Sequence, residues 1–128
     1  MSSNPSSLKY AASHEWVRVE ESGEITVGIT DHAQDLLGDL VFAELPEVGQ
    51  RFSAKEECML LESVKAASDI YMPVSGQISA INTALEDEPE IINEDSFGEG
   101  WLFKIQADNN ADIEGLLSAQ EYESSLDE

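Results

Sequence analysis

CMLLESVKAASDIYMPVSG, residues 58–76, is two short apolar runs set around a tight reversal. CMLLES (58–63) and SDIYM (68–72) are too short for buried helices and read as strands. Val64, Lys65 and Ala66 form the connection between them. A β-hairpin with Lys65 at its tip follows. Outward from it, PEVGQ (46–50) and PVSGQ (73–77) share Pro, Gly and Gln at the same offsets. Each follows one short apolar strand and precedes another, which suggests two similar β units related by a pseudo-twofold axis. Proline stops a strand, and glycine permits a turn with positive φ.

The same rhythm fills the rest of the chain. EWVRV (15–19) and ITVGI (25–29) flank a turn at 20–24 and form a second hairpin. Thr30 or Asp31 can cap a short helix, DHAQDLL, that Gly38 ends. LVFAEL (40–45) is a strand closed by Pro46, and 78–81 continues the sheet. Residues 82–100 are acidic and turn-rich, with one helical turn near 90–93. WLFKI (101–105) is the last strand. From about 108 onward, Ile113, Leu116, Leu117, Tyr122 and Leu126 recur at helical steps, predicting a C-terminal helix over 109–128. Residues 1–8 read as a loose tail. Many short strands with a few helices argue for one compact β sandwich or half-barrel across 1–128.

The chain carries 27 acidic residues against 6 basic ones, a formal net charge of -21. Nucleic acid is excluded as a partner, since phosphate binding needs clustered Lys and Arg. Anionic membrane surfaces are excluded on the same ground, and no apolar stretch is long enough to span a bilayer. One cysteine, Cys58, allows no internal disulfide and fits a reducing compartment. Its place in an apolar strand makes it a buried structural thiol. The N-terminus lacks both a secretory signal and the arginines of a mitochondrial presequence. A cytoplasmic protein, or an organelle protein already stripped of its presequence, is expected.

Catalytic signatures are lacking. His14 and His32 have no metal-ligand spacing, and no GxSxG, P-loop or GxGxxG occurs. Lys65 stands out instead as the only Lys or Arg from Glu56 to Phe103. Ser63, Ala66, Ala67 and Ser68 leave the tip uncluttered. A lysine amine at such a tip can form an amide with a carboxylic acid, trading its charge for a long flexible arm. A Schiff-base role needs a desolvated amine, the opposite of this setting.

ESVKAASDIYMPVSG (62–76) resembles the lipoylation site of glycine cleavage H proteins. So do SHEWVR (13–18), VGITDHAQDLLGDLVFAELPEVG (27–49), GWLFKI (100–105) and the acidic C-terminal segment with EY at 121–122. The likeness runs in order from about Leu8 to Leu126. The stretch RFSAKEECM (51–59) carries no family signature. The VKA tip differs from the DKA-like tip of 2-oxoacid dehydrogenase lipoyl domains and from the methionine-flanked lysine of biotin carriers.

The resemblance implies a mainly β, lipoyl-domain-like barrel-sandwich hybrid with short helices and a C-terminal helix. It implies a non-catalytic carrier with lipoic acid as a covalent amide on Lys65. The partners it implies are glycine decarboxylase (P protein), aminomethyltransferase (T protein), dihydrolipoamide dehydrogenase (L protein) and lipoylating enzymes. The carrier would move the aminomethyl group of glycine from the first to the second and then present the arm for reoxidation. An H-like protein relaying lipoyl groups to other complexes is the alternative. Glu62 and Gly76 match the pair that lipoylating enzymes depend on, through a polar contact and hairpin shape. Ser13, Glu15 and Asp69 match positions lining a cleft for the loaded arm. His14 is expected to be structural, Trp16 and Trp101 to be core, and the chain to be a monomer, cytoplasmic in a bacterium or in the mitochondrial matrix after presequence removal.

Overall fold

The structure, a computed structural model, describes residues 8–11 and 13–126. In chain order the strands are β1 (Lys9–Tyr10), β2 (Glu15–Val19), β3 (Ile25–Ile29), β4 (Leu40–Glu44), β5 (Arg51–Phe52), β6 (Glu57–Ser63), β7 (Ala67–Tyr71), β8 (Gly76–Ile81) and β9 (Phe103–Ala107). The helices are α1 (Asp31–Leu37), α2 (Ala84–Asp87), α3 (Ile91–Glu94) and α4 (Ala119–Leu126), with a 3-10 turn over Asn110–Gly115. A six-stranded antiparallel sheet, β1-β2-β3-β9-β8-β5, lies with a three-stranded one, β4-β6-β7. Their inner side chains form one core that includes Val27, Leu61, Ile70, Ile78 and Phe103. The fold is mostly β, as expected from the run of short strands. No helix among the described residues is long and apolar enough to cross a membrane.

The β2–β3 hairpin pairs Glu15 with Ile29 and Val19 with Ile25. Trp16, fully buried, lies flat over Gly28, where an added Cβ would sit 2.5 Å from the ring. Its indole N–H donates to the Ser96 carbonyl at 2.9 Å. The Pro-Gly-Gln repeat has a physical meaning: its two copies lie against each other. Gly49 N–H donates to Ile78 O, Ile78 N–H donates to Gln50 O, and Arg51 pairs with Gln77. Gly49 takes the positive φ expected of it, but Gly76 does not. Gly76 is glycine because β9 passes so close that a Cβ would fall 2.4 Å from Gln106 O.

Four expectations need correction. Leu8 is buried and Tyr10 pairs in β1, so the chain is already packed at residue 8; residues 1–7 lie outside the described ones. The 82–100 segment holds two helical turns, α2 and α3, each anchored by one buried side chain, Leu85 and Ile92. The last strand begins at Phe103 rather than Trp101, which is only partly buried. The helix predicted over 109–128 is broken in two. Leu117 leaves the helical path to exchange two backbone hydrogen bonds with Tyr10, at 2.8 and 2.7 Å. The chain then restarts with a capping box. Ser118 Oγ accepts from Glu121 N–H at 3.2 Å, and the Glu121 carboxylate accepts from Ser118 N–H at 2.9 Å. Residues 127 and 128 lie outside the described ones.

Helix α4 is held by a second apolar cluster of Leu8, Tyr10, Trp16, Ala119 and Tyr122. The Tyr122 ring stacks on Tyr10 at 5.0 Å. Its hydroxyl shares hydrogen bonds of 2.7 Å with His14 Nδ1 and with Thr30 Oγ1. His14 is thus structural, and the bond helps offset its left-handed backbone (φ 80). Tyr122→Phe keeps the ring but takes the hydroxyl from both partners, leaving Thr30 Oγ1 its bond from Ala33 N–H. It is expected to cost about 1–3 kcal/mol, readable as a lower urea midpoint at unchanged slope.

Candidate functional site

Strands β6 and β7 pair from Glu57↔Tyr71 to Glu62↔Ala67, so the chain must reverse within 63–66. Ser63 fastens that reversal. Its N–H donates to Ala66 O at 2.7 Å, and its Oγ accepts from Lys65 N–H at 3.1 Å and Ala66 N–H at 3.0 Å. A serine hydroxyl closing its own turn in this way is a known local motif. Val64 N–H donates to Asp39 O at 3.0 Å, tying the tip to the segment between α1 and β4. Lys65 is exposed on this braced turn. Its stem crosses Gly38, where an added Cβ would come 2.8 Å from Lys65 Cε. The result is a primary amine that foreign reagents can reach, on a turn held by these four hydrogen bonds.

Strand β7 carries the site onward. Ala67, Asp69 and Tyr71 are all exposed, on alternate positions and hence on one face. They form a track of about 13 Å at the usual strand rise. Its far end meets a cleft of about 480 Å³, lined by Tyr10, Ala11, Ser13, Tyr71, Met72 and Pro73 with Lys55 and 115–117 closing it. Behind Ser13 lies Glu15, only 1% exposed. Ser13 Oγ donates to the Glu15 carboxylate, and Tyr71 N–H reaches Glu15 Oε2 at 3.4 Å. Burial pushes the Glu15 carboxyl up to about 7, against the pull of the hydrogen bonds from Ser13 and Tyr71. Burial, and next the Glu15 charge, push the Cys58 thiol up to about 12, so Cys58 is a packed thiol rather than a nucleophile.

The expected site residues therefore divide. Lys65 sits at the tip and Asp69 midway along the track, beside the Glu57 carboxyl whose proton it helps retain. Ser13 and Glu15 meet at the far end. Glu62 is partly buried at the base of the turn, opposite Phe42 and Ala67. Gly76 lies in the other sheet, away from this row. Sequence reading missed the turn-closing role of Ser63, for which a Ser just ahead of a two-residue reversal was the available signal. It also missed Tyr71 as part of the cleft wall, which needed the strand phase. Among the described residues no group of three or more His, Cys, Asp or Glu could hold a metal.

Comparison with known proteins points one way. A family model described as Glycine cleavage H-protein matches residues 8–128. The chain is 63% identical over 126 residues to the glycine cleavage system H protein of Psychrobacter cryohalolentis, covering 98% of this chain and 100% of that one. It is 61% identical over 128 residues to the one from Pseudoalteromonas translucida, covering 100% and 99%. The crystal structure of a glycine cleavage system H protein from Mycobacterium marinum superposes with a TM-score of 0.89 at 42% identity, covering 98% of this chain and 100% of that one.

Proposed function

The chain belongs to the glycine cleavage H-protein family, and from that premise we propose that it is a lipoyl carrier loaded on Lys65. One observation carries the reading: a reachable primary amine on a braced tip, with a track leading from it to a cleft whose Ser13 bonds to the buried Glu15 carboxylate. The carrier breaks no bond with its own side chains. Once attached, lipoic acid supplies the redox and group-transfer chemistry by which the aminomethyl group of glycine passes from glycine decarboxylase to aminomethyltransferase, before dihydrolipoamide dehydrogenase restores the arm.

What the chain contributes is presentation and shelter. Ser63 fixes the direction in which Lys65 leaves the fold. Glu62, at the base of the turn, is the polar contact for lipoylating enzymes; Gly76 serves them indirectly, by letting β8 and β9 close against each other. Asp69 offers a carboxylate along the track to a cationic cargo. Ser13 and Tyr71 hold Glu15 ready to receive it, and arrival of a cation favours the ionised carboxylate. With the arm lying between them, walls from β7 and residues 115–117 would shield the cargo from the water that hydrolyses it. The carrier acts as a monomer, in the cytoplasm of a bacterium.

The test is Glu15→Ala. Lipoylation should proceed normally, since Glu15 lies far from the tip. The aminomethyl-loaded form should decay about tenfold faster, comparable to losing one charged contact. An unchanged rate of ammonia and formaldehyde release would remove Glu15 from the cleft's function.

A further inference from the structure

Four large apolar side chains near the tip face solvent: Leu36 (59% exposed), Val41 (55%), Phe42 (46%) and Val64 (68%). Backbone contacts gather them. Val64 N–H bonds to Asp39 O, the Lys65 stem crosses Gly38, and Gly38 and Asp39 join the helix of Leu36 to the strand of Val41 and Phe42. That strand, β4, is at the edge of the three-stranded sheet. In a regular strand successive side chains point to opposite faces. Here the register against β6 shifts between Leu40 and Phe42, and both Val41 and Phe42 end up exposed. A bulge that turns two apolar side chains outward costs stability and gives no packing in return, and such clusters mark binding surfaces.

The rim is acidic. Asp35, Asp39 and Glu44 are exposed around the cluster. Lys65 apart, the sequence has no lysine or arginine between Arg18 and Arg51 or between Lys55 and Lys104. Acylation of Lys65 would remove the only lysine or arginine charge carried by the two stretches that build this cluster. A second copy is a poor occupant, because two chains of net charge -21 repel. Resting on the reading of Lys65 as the loaded residue, we propose that Leu36, Val41, Phe42 and Val64 form the docking face for the aminomethyltransferase that takes the loaded arm. The complementary surface is an apolar centre ringed by lysine and arginine around the channel mouth. Charge steers the encounter, and the apolar contact sets its lifetime.

The experiment uses the full unlipoylated chain, so that binding is read without turnover. Wild type and the double variant Val41→Ser/Phe42→Ser are titrated by calorimetry into purified aminomethyltransferase at low and raised salt. Wild type should bind, more weakly as salt rises, and the variant should bind at least about tenfold more weakly. Both substituted side chains are exposed, so the variant should keep its melting temperature within a few degrees. Equal affinity for the two chains overturns the proposal, as does absence of binding by wild type. Wild-type self-association that the variant abolishes assigns the face to a second copy and overturns it equally. Failure of the underlying reading shows separately, as wild-type chain that takes up no lipoyl mass on Lys65.

Discussion

Lys65→Arg should abolish lipoyl loading and, with it, all glycine-dependent turnover in a reconstituted system. The reason is chemical. Arginine keeps the charge and the length, but its guanidinium is protonated at every accessible pH and offers no free amine to an activated carboxyl. The side chain is exposed and its stem only rests over Gly38, so the fold should be unchanged. Ser63, Val64 and Ala66 make the turn through backbone groups and the Ser63 hydroxyl, none of which Lys65→Arg touches. The expected pair of results is a melting curve like that of wild type and an intact mass lacking one lipoyl group. Residual turnover above about a thousandth of wild type would mean that another amine can substitute.

Glu15→Gln should stabilise the fold at neutral and higher pH, by roughly 3 kcal/mol at pH 8. The sign follows from the direction of the shift. Burial raises the folded-state value to about 7, above the ordinary 4.5 that an unfolded chain would show. The folded state therefore binds this proton more tightly, an advantage fully present below about 4.5 and lost as pH rises through 7. Above 7 the wild-type protein holds a buried anion, whereas the amide of the variant is neutral and can still accept from Ser13. The melting temperatures of the two proteins should coincide near pH 4 and diverge by several degrees by pH 8. Surface carboxylates are common to both, so the difference isolates Glu15. A constant gap at all pH values would show that the carboxyl is not held up by its surroundings. The same variant should hold a cationic cargo less well. A group that destabilises the fold at working pH yet sits at the end of the track is what a binding role requires.

The β6–β7 hairpin and its lysine were legible because everything that specifies them is local: two apolar runs, small turn residues and one isolated cation. The β2–β3 hairpin and α1, with its Thr30 cap and Gly38 terminus, were legible for the same reason. Features that depend on distant partners were not. Nothing near Leu117 announces that it will pair with Tyr10, and that pairing lies between the 3-10 turn over Asn110–Gly115 and α4, where one continuous helix was expected. The capping box at Ser118 and Glu121 was in plain sight, but continuous helical spacing masked it. EWVRV was legible as a strand, but nothing in it says that Glu15 and Trp16, neighbours on opposite faces, are both covered. Both are buried, because the far end of β7 covers the second face of β2 at that point. Phe42 was read as an ordinary strand residue, since a bulge leaves no mark in a five-residue pattern. The tip lysine could thus be found from sequence, while the cleft at the far end of β7 and the apolar face around the tip needed the packed fold.

The most direct measurement is peptide mapping of the chain isolated from cells supplied with lipoate. All added lipoyl mass is predicted on the one peptide containing Lys65. Lipoyl mass on Lys9, Lys55 or Lys104 instead, or none on Lys65 in the presence of an active lipoylating enzyme, would contradict the assignment of Lys65 as the carrier residue.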